Sequence, residues 1–330
     1  MLPAYGSCFH GTETPDQVRE MAQVAEAGGI ETLWFASHFF QREPITLATM
    51  ALGSTTKIKV APMAMSPYAI HPVYLAMVAA TLDEMFPGRV LLCLGVGAPR
   101  DLGQVGIAYP QPLATLEESI GLIRELFRGE TVTFEGERFK VTGRHLITGA
   151  CSVPVVLAAS GPKMLQLAGR VADGVLISAA TSVEFVRWCL EEVSQGEKAA
   201  ARRVKHYGIV YAAASENRRE AYDHLRRTLA FVLRGAHHAR NLELAGTSLD
   251  QNELTKAFAA GDWDRVFQLV DDDVVLRHSA SGTYEDVRSR FGLYSAVGLD
   301  EIVLAGQDNA EELEILLKTL RRISAASGLP

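Results

Sequence analysis

Short β-rich apolar runs alternate with helical patterns along most of the chain. The candidate strands are Leu2–Phe9, Thr32–Ser37, Ile58–Met65, Val90–Gly97, Val153–Ala159, Gly174–Ser178, Lys205–Ala213 and Glu301–Ala305. Several, Val153–Ala159 above all, are nearly unbroken apolar runs, as expected of parallel strands covered on both faces. Eight strand–helix units in series predict a closed (β/α)8 TIM barrel over residues 1–330 as a single domain. A doubly wound open sheet is the structural competitor.

The helical stretches carry their own start and stop signals. Thr14-Pro15-Asp16-Gln17 offers an N-cap, a proline at the first helical position and a capping-box Gln, and Gly28-Gly29 ends that helix. Thr115 with Glu118, Thr181 with Glu184 and Thr283 with Asp286 repeat the capping-box spacing. Two insertions interrupt the alternation, near residues 99–150 and 236–281. The first holds a helix over Thr115–Arg128, then Thr131–Phe139, which reads as a hairpin turning at Glu135-Gly136. The second holds extra helices. Barrels build substrate sites in such loops.

Composition narrows the function classes. Hydrophobic residues make up 48% and charged residues 22%, enough apolar surface for a large core. A net charge of -7 with no basic run argues against nucleic-acid binding, which needs clustered Lys and Arg. No signal peptide opens the chain and no apolar run is long enough to span a membrane, so the expectation is a cytoplasmic protein. The four cysteines, Cys8, Cys93, Cys151 and Cys189, form no CxxC pair and no zinc-like cluster, so no metal is expected.

In a barrel of this kind the chemistry lies at the C-terminal ends of the strands. The second run ends at Ser37-His38. An imidazole there either packs and faces water, or exchanges a proton near neutral pH. The third run continues through Pro62-Met63-Ala64-Met65-Ser66-Pro67, a constrained segment or a plain loop between two prolines. The fourth ends at Gly95-Val96-Gly97. Glycines let a backbone approach a flat ring, although the full dinucleotide fingerprint is absent. The fifth leads through Ala159-Ser160-Gly161-Pro162-Lys163 into a helix that can start at Pro162. Its free N–H groups and dipole suit a phosphate, with a hydroxyl from Ser160 and a charge from Lys163; the alternative is an ordinary Ser-capped helix.

These segments in this order resemble the luciferase-like flavin and deazaflavin oxidoreductases over essentially the whole length. The resembling stretches are GGIETLWFASHF, HPVYLAMVAATLDEMFPGRVLLCLGVGAP, FEGERF, VPVVLAASGPKMLQLAGRVADGVLIS and GTYEDV. The methylenetetrahydromethanopterin-reductase-like, deazaflavin-dependent branch is the most similar. The resemblance implies a cofactor ring at the barrel mouth, backed by a non-prolyl cis peptide at Met63–Ala64. It places the ring against Gly95 and Gly97 and the phosphate at Ser160–Lys163, with Ala159 and Ser178, at the ends of the fifth and sixth strands, in the same cofactor-binding set. His38, with Ser37, would be catalytic.

Two positions depart from relatives. Deazaflavin enzymes of this type carry an Asp where Ser37 stands, so proton handling cannot use a carboxylate there. FMN-using luciferases hold the phosphate with an arginine where Val96 stands. The resemblance therefore favours coenzyme F420, an 8-hydroxy-5-deazaflavin, over FMN. It implies hydride transfer to or from a small organic substrate, in a homodimer. The alternatives are a reduced-FMN monooxygenase served by a partner flavin reductase, and a non-catalytic flavin-binding protein on the same fold.

Overall fold

A computed structural model describes residues 3–326; Leu2, placed in the first strand above, lies outside them. The strands are β1 (Ala4–Phe9), β2 (Thr32–Ala36), β3 (Lys59–Met63), β4 (Leu92–Leu94), β5 (Val132–Glu135), β6 (Lys140–Arg144), β7 (Val155–Ala158), β8 (Gly174–Ile177), β9 (Lys205–Ala214), β10 (Ala280–Gly282) and β11 (Glu301–Ala305). The helices are α1 (Pro15–Gly28), α2 (Pro44–Ser54), α3 (Pro72–Met85), α4 (Pro99–Gln104), α5 (Pro112–Phe127), α6 (Pro162–Val171), α7 (Val183–Ala199), α8 (Arg218–Leu233), α9 (Ala239–Ala245), α10 (Gln251–Ala260), α11 (Trp263–Leu269), α12 (Asp272–His278), α13 (Tyr284–Ala296) and α14 (Ala310–Ala326).

Eight parallel strands run in the order β3-β2-β1-β11-β9-β8-β7-β4. Two parallel bridges, Val60 to Val90 and Met65 to Leu94, join the ends of that row into a barrel. All eight predicted runs are these strands. The seam between β3 and β4 is the sparse one. Val60 N–H donates to Arg89 O and Leu91 N–H to Val60 O; Met65 N–H then donates to Cys93 O and Gly95 N–H to Met65 O. Between these two bridges stands Pro62, which has no N–H to give, so the ladder lacks its bond there.

Alternation along each strand builds two cores. Trp34, Cys93, Val156, Leu176, Ile209 and Val303 point into the barrel. Their neighbours Phe35, Leu92, Leu157, Ile177, Val210 and Leu304 point outward, against the apolar faces of the helices. One polar group closes the barrel floor. The Glu301 carboxyl, 4% exposed, accepts from Trp34 Nε1 at 2.8 Å and Thr32 Oγ1 at 3.1 Å. Gly6 makes room for it, since a Cβ there would come within 2.4 Å of Glu301 Oε1. Burial outweighs both hydrogen bonds and pushes the carboxyl up to about 7.

The second insertion packs α10 to α12 beside α8 and α9 against α7. Buried Arg226 anchors it, donating to the Val270 carbonyl at 2.5 Å and pairing with Asp272 and Asp223. Two side chains of the insertion grip the loop after β8. Asn241 Nδ2 donates to the Ala180 carbonyl at 2.8 Å, and His278 Nδ1 reaches the same oxygen at 3.0 Å. Ala180 has φ +50, a left-handed conformation that a non-glycine residue rarely adopts and that this grip holds. No helix among the described residues is long and apolar enough to cross a membrane.

The first cap is as read: Thr14 and Gln17 form a capping box, and Gly29 closes the helix with φ +86. Thr283 and Asp286 form another. Three local readings are corrected. Thr115 lies inside α5, which starts a turn earlier because Pro112 fits a first turn. Ser182, not Thr181, caps α7, accepting from Phe185 N–H at 3.1 Å; Thr181 instead turns its hydroxyl to the Ile209 carbonyl. The hairpin turns over residues 136–139 rather than at Glu135-Gly136, and its return strand starts at Lys140. The Glu118 carboxylate draws those residues into the turn by accepting from Arg138 and Phe139 N–H.

Candidate active site

The barrel mouth collects the predicted residues on one arc. Ser37 and His38 follow β2, Met63-Ala64 ends β3, Gly95 and Gly97 follow β4, Ala159–Lys163 follow β7 and Ser178 follows β8. These five strands are consecutive around the barrel, because β4 pairs with β7. The Met63–Ala64 peptide is cis, as the resemblance implies. The Met63 carbonyl accepts from Ser37 N–H at 2.5 Å, which ties the ends of β2 and β3 together.

Small residues make a smooth floor on this arc. A Cβ on Gly95 would lie 2.7 Å from the Cβ of Ala64 and 3.5 Å from that of Ala158, so no larger residue fits there. Gly97 has φ +91, and Ser66 Oγ donates to the Val96 carbonyl at 2.7 Å to fix the turn. A flat ring suits such a surface, since nothing on it projects beyond a methyl group.

Ala158 leads directly into the turn before α6. Pro162 opens that helix, and its N-cap is Gly161, with no side chain capping the first turn. An ordinary Ser-capped helix therefore does not form: Ser160 stands one residue too early. No acidic residue occupies the first turn, and Gly161, Pro162 and Lys163 are exposed. A Cβ on Gly161 would meet nothing within 4 Å. Uncapped N–H groups, an uncompensated dipole and a lysine together fit a phosphate. The residues present thus fit a flat ring with a phosphate-bearing side chain.

His38 is exposed at the mouth, beside Arg100 and Asp101 of α4. Partial desolvation holds its pKa below the ordinary imidazole value; Asp101 pulls it up and Arg100 pulls it down. Ser37 adds no charge of its own. Sequence reasoning missed the opposite arc, formed by His10 after β1 and Gln307 after β11. Both carry buried polar atoms with no partner, a signal that exists only after folding.

A family model described as luciferase-like monooxygenase matches residues 1–301. The chain is 32% identical to a 5,10-methylenetetrahydromethanopterin reductase of Archaeoglobus fulgidus over 309 residues, covering 90% of this chain and 92% of that one. It is 27% identical to an F420-dependent glucose-6-phosphate dehydrogenase of Nakamurella multipartita, covering 92% and 94%. The structure of coenzyme F420 dependent tetrahydromethanopterin reductase from Methanopyrus kandleri superposes with a TM-score of 0.88 at 23% identity, covering 97% of this chain and 98% of that one. That likeness confirms the (β/α)8 fold. With the family model spanning most of the sequence, the chain belongs to the luciferase-like family.

Proposed function

We propose that this protein is an oxidoreductase that moves a hydride between coenzyme F420 and a small organic substrate. The observation that carries the reading is the continuity of the Ala64–Gly95–Ala158 floor with the uncapped start of α6. On this arc Met63, Ala64, Gly95 and Gly97 would back the ring. Ala159, Ser160, Gly161, Pro162 and Lys163 would hold the phosphate, and Ser178 would border it. When bound, the coenzyme supplies the hydride chemistry. The chain orients it, and His38 hydrogen-bonds the substrate or exchanges a proton with it. The relatives' names support this choice of cofactor. A reduced-FMN monooxygenase is the second reading, supported by the description of the family model. Val96 argues against it, since an apolar side chain holds no phosphate.

A binding titration tests the reading. Coenzyme F420 should bind more tightly than FMN. Ser160→Ala with Lys163→Ala should weaken that binding about tenfold or more, the usual scale for charge-assisted hydrogen bonds. Stoichiometric FMN with no F420 binding would reverse the assignment.

The same protein should be a homodimer through α2 and α3. Helix α2 carries no Asp, Glu, Lys or Arg, and α3 carries none before Asp83. Yet Tyr74, Met77 and Met85 are exposed on α3. A helix that is apolar all round is normally covered. A chain of net charge -7 repels its copy everywhere except at an uncharged face, which is self-complementary about a two-fold axis. Light scattering should give twice the chain mass for the wild type and the single mass for Met77→Glu. A monomeric wild type would refute the interface.

A further inference from the structure

The first insertion opens with a segment that stands almost free of the barrel, beside the proposed ring site. It is pinned at both ends. Ser66 Oγ donates to the Val96 carbonyl at 2.7 Å, and the Tyr68 hydroxyl donates to the Pro110 carbonyl at 2.7 Å. Between those pins, and among the described residues, none of residues 98–109 makes a hydrogen bond or ion pair outside its own segment. Helix α4 lies in the middle, and its one buried side chain, Leu102, packs against Gly97. Gly97 and Gly106 stand on either side of α4 with φ +91 and φ +72. Without a Cβ, both can turn at little cost.

Helix α4 reaches across the mouth to α8. That helix is firmly seated: Tyr222, Leu225 and Leu229 pack with Tyr211, Val303 and Ala305 at the end of the barrel interior. Its Phe231 is 46% exposed, and the Arg100 guanidinium of α4 lies 5.8 Å from the centre of that ring. In the barrel, β7 and β8 stand between β4, which leads into α4, and β9, which leads into α8. The contact therefore joins the two flanks of the arc that carries the Ser160–Lys163 turn and Ser178. It is a contact made to break. Arg234 already stacks on Phe231 at 4.5 Å and on Phe258 at 4.2 Å, with its Nε donating to the Phe231 carbonyl at 3.0 Å. Two guanidinium ions on one ring repel each other. Desolvation and then the Arg100 charge hold the Arg234 pKa below its ordinary value.

We propose that residues 98–109 form a lid over the proposed ring site, held shut by Arg100 on Phe231 and opened by turning at Gly97 and Gly106. What the lid covers rests on reading the Ala64–Gly95–Ala158 arc as a cofactor site. Its foot, Leu102, stands on Gly97 at the edge of that floor, so a flat guest there lies beneath it. With the latch made, Arg100 and Asp101 stand beside His38. With the latch broken, they swing away and His38 faces water. Closure thus excludes solvent from the reacting centre and fixes the charges around the imidazole in one movement.

Hydrogen–deuterium exchange of the full-length protein, read by mass spectrometry over residues 98–109, tests the lid. Arg100 and Phe231 are both exposed, so the fold does not depend on them. Phe231→Leu keeps an apolar side chain and removes the aromatic face; Arg100→Gln keeps the length and removes the charge. Each should speed exchange in 98–109 about threefold, the scale of one exposed cation–π contact. The double variant should be no faster than either single one, and exchange over α6 should stay unchanged. Saturating coenzyme F420 should slow exchange in 98–109 about tenfold or more. Unchanged exchange in the single variants, effects that add in the double variant, or coenzyme that binds without protecting 98–109 would each overturn the lid. Should coenzyme F420 fail to bind, the deazaflavin reading falls, and the same comparison with FMN decides the lid. If neither guest binds, the lid has nothing to cover and falls with the cofactor site.

Discussion

His38→Ala should lower turnover about 100-fold, the scale on which a positioned acid or base contributes, while coenzyme affinity changes less than about threefold. The asymmetry follows from the layout of the mouth. His38 ends β2, whereas the turn proposed to hold the phosphate follows β7, on the far side of the Ala64–Gly95 floor. Removing the imidazole leaves that turn untouched. Because desolvation depresses the His38 pKa, the ring is neutral at pH 7. Activity that depends on the neutral ring is complete above the ordinary value of about 6.5 and falls only as acid drives the pH through the lowered value. Steady-state rates from pH 5 to 8, with a substrate the wild type accepts, would show this. Full turnover by His38→Ala would reduce His38 to a packing residue.

Acid should loosen the second insertion, and by a comparable free energy. His238 and His278 are buried, and desolvation lowers them to about 3 and about 4. Both are neutral when folded and take up a proton readily when unfolded, at about pH 6.5. The stability they contribute is complete above that value and is lost as pH falls towards the folded values. Between pH 7.5 and 5 this amounts to about 2 kcal/mol for each ring. Glu301 works in the opposite sense over the same window. Its folded carboxyl, raised to about 7, takes up its proton before the unfolded chain does. The informative quantity is therefore a difference between proteins. His278→Asn keeps a donor towards the Ala180 carbonyl but cannot titrate. It should be less stable than wild type at pH 7.5 and lose less between pH 7.5 and 5 in urea unfolding. Parallel pH profiles for the two proteins would show that His278 does not titrate on unfolding.

The barrel was legible in the sequence because each of its strands is buried on both faces and reads as an apolar run of its own. β10 was not. Ala280-Ser281-Gly282 has no apolar run, and it becomes a strand only because β9 extends beyond the barrel to pair with it. The turn into α6 was legible because proline and glycine fix local backbone. Capping at Thr115 and Thr181 was misread where a nearby proline or serine competed for the same turn. His10 and Gln307 lay beyond any sequence pattern. Each was singled out by a buried polar atom without a partner, and that burial exists only in the folded barrel. The Ala180 grip is of the same kind, assembled from an insertion far along the chain.

The ladder bond missing at Pro62 bears on the mechanics of the molecule. A closed barrel resists changes of girth because each strand is laced to two neighbours, and it yields where the lacing is thinnest. Here the slack lies between Val60 and Met65, directly beneath the Ala64–Gly95 floor. The wall that would face a bound ring is thus the most compliant part of the hoop. Small changes in the thickness or tilt of a guest can be taken up by local widening at one seam, while the other seven strand pairs keep their register and the floor carboxyl stays sealed. A proline that reads in the sequence as a flaw in a strand is, in the folded barrel, the expansion joint.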